Sequence, residues 1–485
     1  MALPSFPEIA PGDSFGSSSL EDCRETAVPG AGLEGETPAR VTSLEDWSIR
    51  TGQRLRGFPV SSFPRREVVM LGVGIDWSED ADVVALGLPG QGVIEIFTIA
   101  HRPEAVKGLL AKIGQLEADP AEVRVALETK HGHLVETLLA AGYAVVPVNP
   151  QLVARRRGPA GKKDDPEDAR ILCLLALDRH QVLRPLVPHG EVAAELRAIA
   201  RDDERASRDE RRLLNRLRAD LLATFPAALV FAGEDLGAPS VLRLLEHYPR
   251  AEAVAEASDQ ELEALFRKAK HGWPNRAIAR LRKAQASDQF VAPAYLVRAK
   301  ADAIRLAATQ LLTIGAQRRA WERRMGQLLA VLPASGGDDP GKAVPDGEIY
   351  LSFAGLGTRL AARVAGEIGD HPDQFETPNS LQCYAGKAPV TRRSGKSELV
   401  VACRLACNRH LAGAVQQWAF CSLRRSIWAR EFYDAQRARG KGHQAALRAL
   451  GNRWLEVLWH CLHKGVVYDE SIHVANRERA MHRAA

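Results

Sequence analysis

Four carboxylates stand where they could work together. Asp76 closes an apolar run at 68–75, in the string Gly74-Ile75-Asp76. Glu128 closes a second run, in Ala126-Leu127-Glu128. Asp165 and Asp168 lie three apart in Lys163-Asp164-Asp165-Pro166-Glu167-Asp168-Ala169. Proline is favoured in a first helical turn, and an i, i+3 spacing puts two side chains on one helical face. Carboxylates held close together repel one another, and a divalent cation relieves that repulsion. Oxygen ligands suit Mg²⁺, and two such ions can activate a nucleophile and stabilise the leaving oxygen in phosphoryl transfer. Taken singly, each residue has a plainer reading. An Asp after a strand is often a turn residue, and one before a helix is often an N-cap. The order strand-Asp, strand-Glu, helix-Asp-x-x-Asp makes the joint case.

The elements that must position these residues can be read from pattern. Residues 68–75 form a buried strand. Residues 83–88 and 93–99 form a hairpin about Pro89-Gly90. Residues 101–116 have helical spacing, 123–127 form a strand, 133–141 a helix, and 144–148 a strand ended by Asn149-Pro150. Arg155, Arg156 and Arg157 precede a Gly/Pro loop, and a helix starts near Pro166. The fold class expected is an α/β ribonuclease-H-like nuclease domain at 67–190, a mainly helical region with coiled-coil character at 191–331, and a helical C-terminal domain at 350–470. Residues 332–349, rich in Pro, Gly and Asp, form a linker, and 471–485 a tail. Residues 1–66 are rich in Pro, Gly and Ser without a sustained period and are expected to be a disordered extension. In the helical region Ile304, Ala307, Leu311, Ile314, Trp321, Met325 and Leu328 fit heptad positions, with Arg318 as a polar intruder. The charged stretch 201–218 carries Leu213, Leu214 and Leu217. Two long helices packed together or paired between subunits account for both stretches, as does a plain bundle within one chain.

The chain has 485 residues, 46% hydrophobic and 26% charged, as in globular proteins of two or three domains. No apolar run reaches the length of a membrane span, and the first residues do not form a secretory signal; a cytoplasmic protein is expected. Seven cysteines without regular spacing argue against a disulfide framework. Cys403, Cys407 and His410 lie close together, but buried thiols account for them better than zinc does. The net charge is +5. Residues 391–485 hold 17 Lys/Arg against 7 Asp/Glu, whereas 1–65 hold 6 against 9. A basic C-terminal region suits a polyanion such as nucleic acid, and equally a solvated surface.

Two segments together resemble a known family, the DEDD transposases of bacterial insertion sequences, related to Piv-type DNA invertases. The first, about 70–190, carries Gly74-Ile75-Asp76, Glu128, Asn149-Pro150 and the Lys-x-Asp-x-x-Asp-Ala string at 163–169. The second, about 350–470, carries Phe353-Ala354-Gly355-Leu356-Gly357, Gly386-Lys387-Ala388-Pro389 and Ser394-Gly395. The resemblance implies that Asp76, Glu128, Asp165 and Asp168 bind Mg²⁺. Asp164 stands where the family often has Thr and could compete as a ligand; Asp165 keeps the family spacing to Asp168. The family's conserved serine falls on Ser394, implied to be the strand-joining nucleophile. Arg392, Arg393 and Lys396 around it could hold the scissile phosphate. Gly355-Leu356-Gly357 resembles a helix-hairpin-helix turn, whose N–H groups can meet a phosphate, or is a simple tight turn. Asn408 sits where relatives have Gly-Asn and a basic residue, and Lys130 and His131 depart from the small residues usual after the glutamate. DNA, a structured guide RNA and a second copy of the chain, as a homo-oligomer (dimer or tetramer), are the implied partners. Two rivals are a Holliday-junction-resolvase-like nuclease or invertase of the same fold, and a non-enzymatic nucleic-acid-binding remnant of a mobile element.

Overall fold

A computed structural model describes residues 71–475, apart from 79, 130–131, 158–163, 179–182, 288–291, 337–343, 395–396, 402–403, 405 and 473–474. The expectations for 1–66, for the tail beyond 475, and for Lys130, His131, Lys163, Lys396 and Cys403 fall on residues outside those described.

Five strands form one mixed sheet: β1 (Leu71–Asp76), β2 (Ala81–Leu88), β3 (Gly92–Ala100), β4 (Val123–Leu127) and β5 (Ala144–Pro147), in the order β3-β2-β1-β4-β5. β2 runs antiparallel to both β1 and β3, whereas β1, β4 and β5 run parallel to one another. This mixed sheet is consistent with the ribonuclease-H-like domain expected. Its two faces are covered by different elements. Leu71, Val73 and Ile75 join Leu109 and Ile113 of α1 (Pro103–Leu116) and Val135 and Leu138 of α2 (His133–Ala140) in one core. The alternate residues Gly72 and Gly74 face α4 (Asp165–Leu177) on the other side. Here the strand pattern has a physical cause. A Cβ at Gly74 would lie 2.2 Å from the Ala169 carbonyl oxygen and 2.2 Å from the Cys173 nitrogen, so only glycine lets α4 lie this close to β1.

Asn149-Pro150 does more than end a strand. Pro150 opens α3 (Pro150–Arg157), and Asn149 Oδ1 accepts the Gln151 N–H at 2.9 Å. Arg155, Arg156 and Arg157 form the last turn of this helix; the loop expected after them falls on residues outside those described.

Two long helices follow, α5 (Glu191–Thr224) and, after five short ones, α11 (Ala294–Ala330). The intervening helices are α6 (Pro226–Ala232), α7 (Pro239–His247), α8 (Ala251–Glu256), α9 (Asp259–Lys268) and α10 (Pro274–Ala286). α5 and α11 pack antiparallel within the chain. Arg324 meets Glu195 at 2.6 Å, Arg318 meets Asp203 at 2.9 Å, and Lys300 meets Asp220 at 2.7 Å, so the partner numbers run in opposite directions. The ends of the pair belong to different cores. Leu217, Leu221, Ile304, Ala307 and Leu311 pack with Phe225, between α5 and α6, and with Phe231 and Phe266 of the short helices. Ala193, Leu196, Ala200, Met325 and Leu328 pack with the C-terminal helices. Arg318, the intruder in the apolar pattern, lies between the two cores and also pairs with Glu210.

The C-terminal core contains α12 (Asp346–Ser352), α13 (Thr358–Ile368), α14 (Pro378–Tyr384), α15 (Arg409–Ser422), α16 (Ile427–Ala438) and α17 (His443–Lys464). Trp418 and Trp454 are fully buried and stack at 5.2 Å, with Phe353 edge-on to Trp418 at 5.3 Å. This region is not helical throughout. β6 (Val390–Ser394) and β7 (Ser397–Val401) pair antiparallel. Val390, Thr391, Val400 and Val401 are β-branched and favour extended backbone. Among the described residues no helix is long and apolar enough to cross a membrane.

Candidate active site

Asp76 is the last residue of β1, and Glu128 directly follows β4. Gly74 pairs with Ala126 and Ile75 with Leu127 in the parallel register, so one further step sets Asp76 beside Glu128. Alternation also puts both on the face covered by α4, since Gly72, Gly74 and Ala126 lie on that face. α4 runs opposite to β1. Gly72 faces Cys173 and Leu177, and Gly74 faces Ala169 and Cys173. Following the strand one more step leads to the first turn of α4, which carries Asp165 and Asp168. The sequence thus delivers all four carboxylates to one end of the sheet.

They do not close into a coordination cluster. Among the described residues no three Asp, Glu, His or Cys side chains are grouped closely enough to hold a metal ion. Asp165 is exposed at the helix start, with exposed Asp164 beside it at the N-cap, where it makes no side-chain cap hydrogen bond. Asp168 is 2% exposed and turned toward α3. Arg157 Nε lies 2.7 Å from Asp168 Oδ1. The pair is close enough for strong charge attraction but lacks hydrogen-bond alignment, so both atoms are buried without a hydrogen-bond partner. The cost of such a contact is tolerable for an ion pair and high for a lone charge. A hard oxygen donor set with an unsatisfied buried carboxylate oxygen fits a divalent cation. The pairing of Arg157 escaped the sequence reading, because only the packing of α3 against α4 brings it to Asp168.

Ser394 is the last residue of β6 and stands opposite Ser397, the first of β7, with Arg392 opposite Leu399 and Arg393 opposite Glu398. The serine therefore sits at the tip of a two-stranded hairpin.

Comparison with known proteins decides the family. A family model described as a transposase matches residues 73–226, and one described as the transposase IS116/IS110/IS902 family matches residues 347–434. The mini-circle putative transposase for IS117 of Streptomyces coelicolor is 35% identical over 418 residues, spanning 82% of this chain and 95% of that protein. The chain belongs to the IS110 family of DEDD transposases. It is a DNA transposase. An uncharacterized 43.6 kDa protein of insertion element IS110 from Streptomyces coelicolor is 30% identical, spanning 64% of this chain and 73% of that one. An uncharacterized 42 kDa protein of IS900 from Mycobacterium paratuberculosis is 27% identical, spanning 76% and 90%. The first matched segment contains the four carboxylates and the second contains Ser394. Residues 227–346 of this transposase, which include α7 to α11, fall between the two.

The transposase has a second polar assembly, which sequence reasoning missed. Glu367 of α13 is 4% exposed and takes two hydrogen bonds from Arg201 of α5, at 2.6 and 2.9 Å. Asn408 Nδ2 donates to the same carboxylate at 2.7 Å and to Tyr384 Oη at 2.8 Å. Asn408 Oδ1 meanwhile accepts the His410 and Leu411 N–H groups and so caps α15. Burial raises the Glu367 pKa, but the hydrogen bonds from Arg201 and Asn408 outweigh it, and the group titrates below the ordinary glutamate range. Nearby, His410 Nδ1 lies 2.7 Å from Glu204, which also meets Arg363 at 3.2 Å. This assembly ties α5, α13 and α15 together just past the hairpin. Asn408 is thus a structural hub, and His410 faces a carboxylate. Gly355 (φ +86°) is explained by packing as well: a Cβ there would lie 2.7 Å from the Ser422 nitrogen.

Proposed function

We propose that this transposase cuts and rejoins DNA through a divalent-metal centre at Asp76, Glu128, Asp165 and Asp168, with Ser394 as the nucleophile. The observation that carries the reading is the β1–β4 register, which sets Asp76 beside Glu128 under the first turn of α4. Mg²⁺ bound there would draw charge from the scissile phosphate and stabilise the leaving oxygen. The chain's own groups do the rest. Ser394 Oγ attacks phosphorus; the Ser–O–P bond forms as the P–O3′ bond breaks, and the departing 3′ oxygen takes up a proton. A 3′-hydroxyl from another strand then attacks the same phosphorus, restores the phosphodiester and returns the proton to Ser394. One P–O bond forms for each that breaks, so strand joining needs no external energy source. Arg392, Arg393 and Lys396 would hold the phosphate. Ser394 is far in sequence from the carboxylates, and folding of the chain or assembly in a homo-oligomer would bring them together. A structured RNA bound by the basic C-terminal region would guide the choice of site.

The test is covalent trapping. Wild-type protein, Mg²⁺ and labelled DNA are incubated and denatured, and digestion with mass spectrometry should place the adduct on Ser394. Ser394→Ala should lose strand exchange while DNA binding survives, since phosphate contacts come mainly from Arg and Lys. Recombination without an adduct, together with an active Ser394→Ala variant, would establish water as the nucleophile and a resolvase-like reaction. Full-rate recombination by nuclease-treated protein without added RNA would remove the guide from the scheme.

A further inference from the structure

Trp77 follows Asp76 directly, yet its side chain does not join a core. It is 57% exposed, whereas Trp418 and Trp454 are fully buried. The indole is nevertheless held in place. It stacks on the His101 ring with planes 13° apart and centroids 6.4 Å apart. His101 Nε2 in turn lies 3.0 Å from Asp82 Oδ1. Asp82 is 2% exposed. Burying a carboxylate is costly unless it is paired, so the Asp82–His101 contact fixes the histidine at the end of the sheet. An exposed aromatic ring is thereby braced through two further side chains back to the sheet interior.

Placement says what the ring is for. β1 ends at Asp76, β2 begins at Ala81, β3 ends at Ala100, and β4 ends at Leu127, all at the same end of the sheet. Asp76 lies on the α4 face of β1. Asp82 lies on the opposite face, with Val84 and Leu86 of the α1 side. The braced ring therefore lies at the carboxylate end of the sheet, on the β3 side, with its Asp82 support on the face opposite Asp76. Consecutive Cα atoms are about 3.8 Å apart, comparable with the roughly 3.4 Å rise of one nucleotide along a DNA strand. A strand whose phosphate lies at Asp76 carries its neighbouring base within reach of the next residue.

We infer that Trp77 is a stacking platform for a nucleobase adjacent to the scissile phosphate, held rigid by His101 and Asp82. The inference rests on the carboxylate site proposed above and assigns it a contact with the base beside it. Because every base has a π-face, such a platform positions the strand without choosing its sequence. His101 and Asp82 are positioning residues, acting through the indole.

The experiment is a binding cycle, independent of cleavage. The full chain and its Trp77→Ala and Trp77→Phe variants are titrated by anisotropy with oligonucleotides spanning the cleavage site. A second set carries a single abasic position at each nucleotide in turn. Trp77→Ala should weaken binding roughly 5- to 150-fold, and Trp77→Phe should restore most of it. One abasic position should weaken the wild type by a similar factor and leave Trp77→Ala unaffected. His101→Ala should give a smaller loss at that same position. Binding by Trp77→Ala within twofold of wild type, or an abasic penalty that persists in full in Trp77→Ala, overturns the platform. Melting curves check that the variants fold. Coupling that is intact in an Asp165→Asn variant without cleavage isolates the platform from the metal chemistry. Coupling that is present while Asp165→Asn cleaves at full rate counts against the carboxylates alone.

Discussion

Arg157 Nε sits 2.7 Å from Asp168 Oδ1, a buried approach without hydrogen-bond alignment. The arginine acts as a stand-in for positive charge at a carboxylate with almost no access to water. Arg157→Ala leaves that charge uncompensated, and removing one partner of a buried pair typically costs about 3–5 kcal/mol. The variant should melt several degrees below wild type in EDTA, and Mn²⁺ or Mg²⁺ should recover more of its stability than they add to wild type. Calorimetry with and without metal measures this. An equal metal response in both proteins would detach Asp168 from metal binding.

Gly74→Ala tests the close approach of strand and helix. The new methyl would lie 2.2 Å from backbone atoms of Ala169 and Cys173, and backbone cannot step aside as a side chain tip can. Shifting α4 displaces Asp165 and Asp168 together. The sheet domain should lose more than about 2 kcal/mol, with cleavage abolished. Gly108→Ala is the control, since a Cβ in that helix meets nothing within 4 Å. It should be neutral or stabilise by about 0.5–1 kcal/mol.

Acid should loosen the C-terminal core through Glu367. Its folded pKa is depressed, with burial opposed and outweighed by hydrogen bonds from Arg201 and Asn408. A carboxylate of this kind contributes stability that is present above its unfolded pKa and is lost as pH falls through the folded value. The melting temperature should therefore decline as pH drops below the ordinary glutamate range. Glu367→Gln should start lower at neutral pH and show a shallower decline. Parallel slopes for the two proteins would place the acid-sensitive group elsewhere.

The two-helix arm offers a fourth test. Arg318 is 15% exposed and faces Asp203, which is 5% exposed, and Glu210. Arg318→Met strands Asp203 and should cost about 3–5 kcal/mol. The triple variant Arg318→Met, Asp203→Leu, Glu210→Met replaces the whole cluster with apolar groups and should regain most of that loss. Chemical denaturation of single and triple variants compares them. A triple variant no more stable than the single would mean that the arginine serves packing rather than charge.

What the sequence could and could not announce follows from the range of the interactions. The run Val123–Leu127 is a strand with the bounds expected, and Pro89-Gly90 turns a hairpin as its chemistry requires. These depend on neighbours in the chain. The strand-end positions of Asp76 and Glu128 were equally legible, because a buried parallel strand is a short apolar run with an abrupt polar end. The close seat of α4 on Gly74 was not, since it depends on a helix some ninety residues away. β6 and β7 escaped notice because Arg392, Arg393 and Glu398 break their apolar alternation. Arg318 stood out as an anomaly, but its partners are more than a hundred residues distant and only tertiary structure names them.

The antiparallel arm also governs how the molecule can be made. Ala193, Leu196 and Ala200 at the start of α5 belong to the same core as Met325 and Leu328 at the end of α11, and to helices later still. A ribosome adding about 5–20 residues per second delivers these partners several seconds after the first three have emerged. The sheet domain, with all its strands and α4 already out, can close in that interval. The apolar stripe of early α5 must wait, exposed, while the short helices α6 to α10 are synthesised and gather between its two halves. Closure of the core that holds Ala193, Leu196 and Ala200 thus waits for α11 and the helices after it. Slowed translation across 225–293 should lengthen the time during which that stripe is open to chaperones or to aggregation.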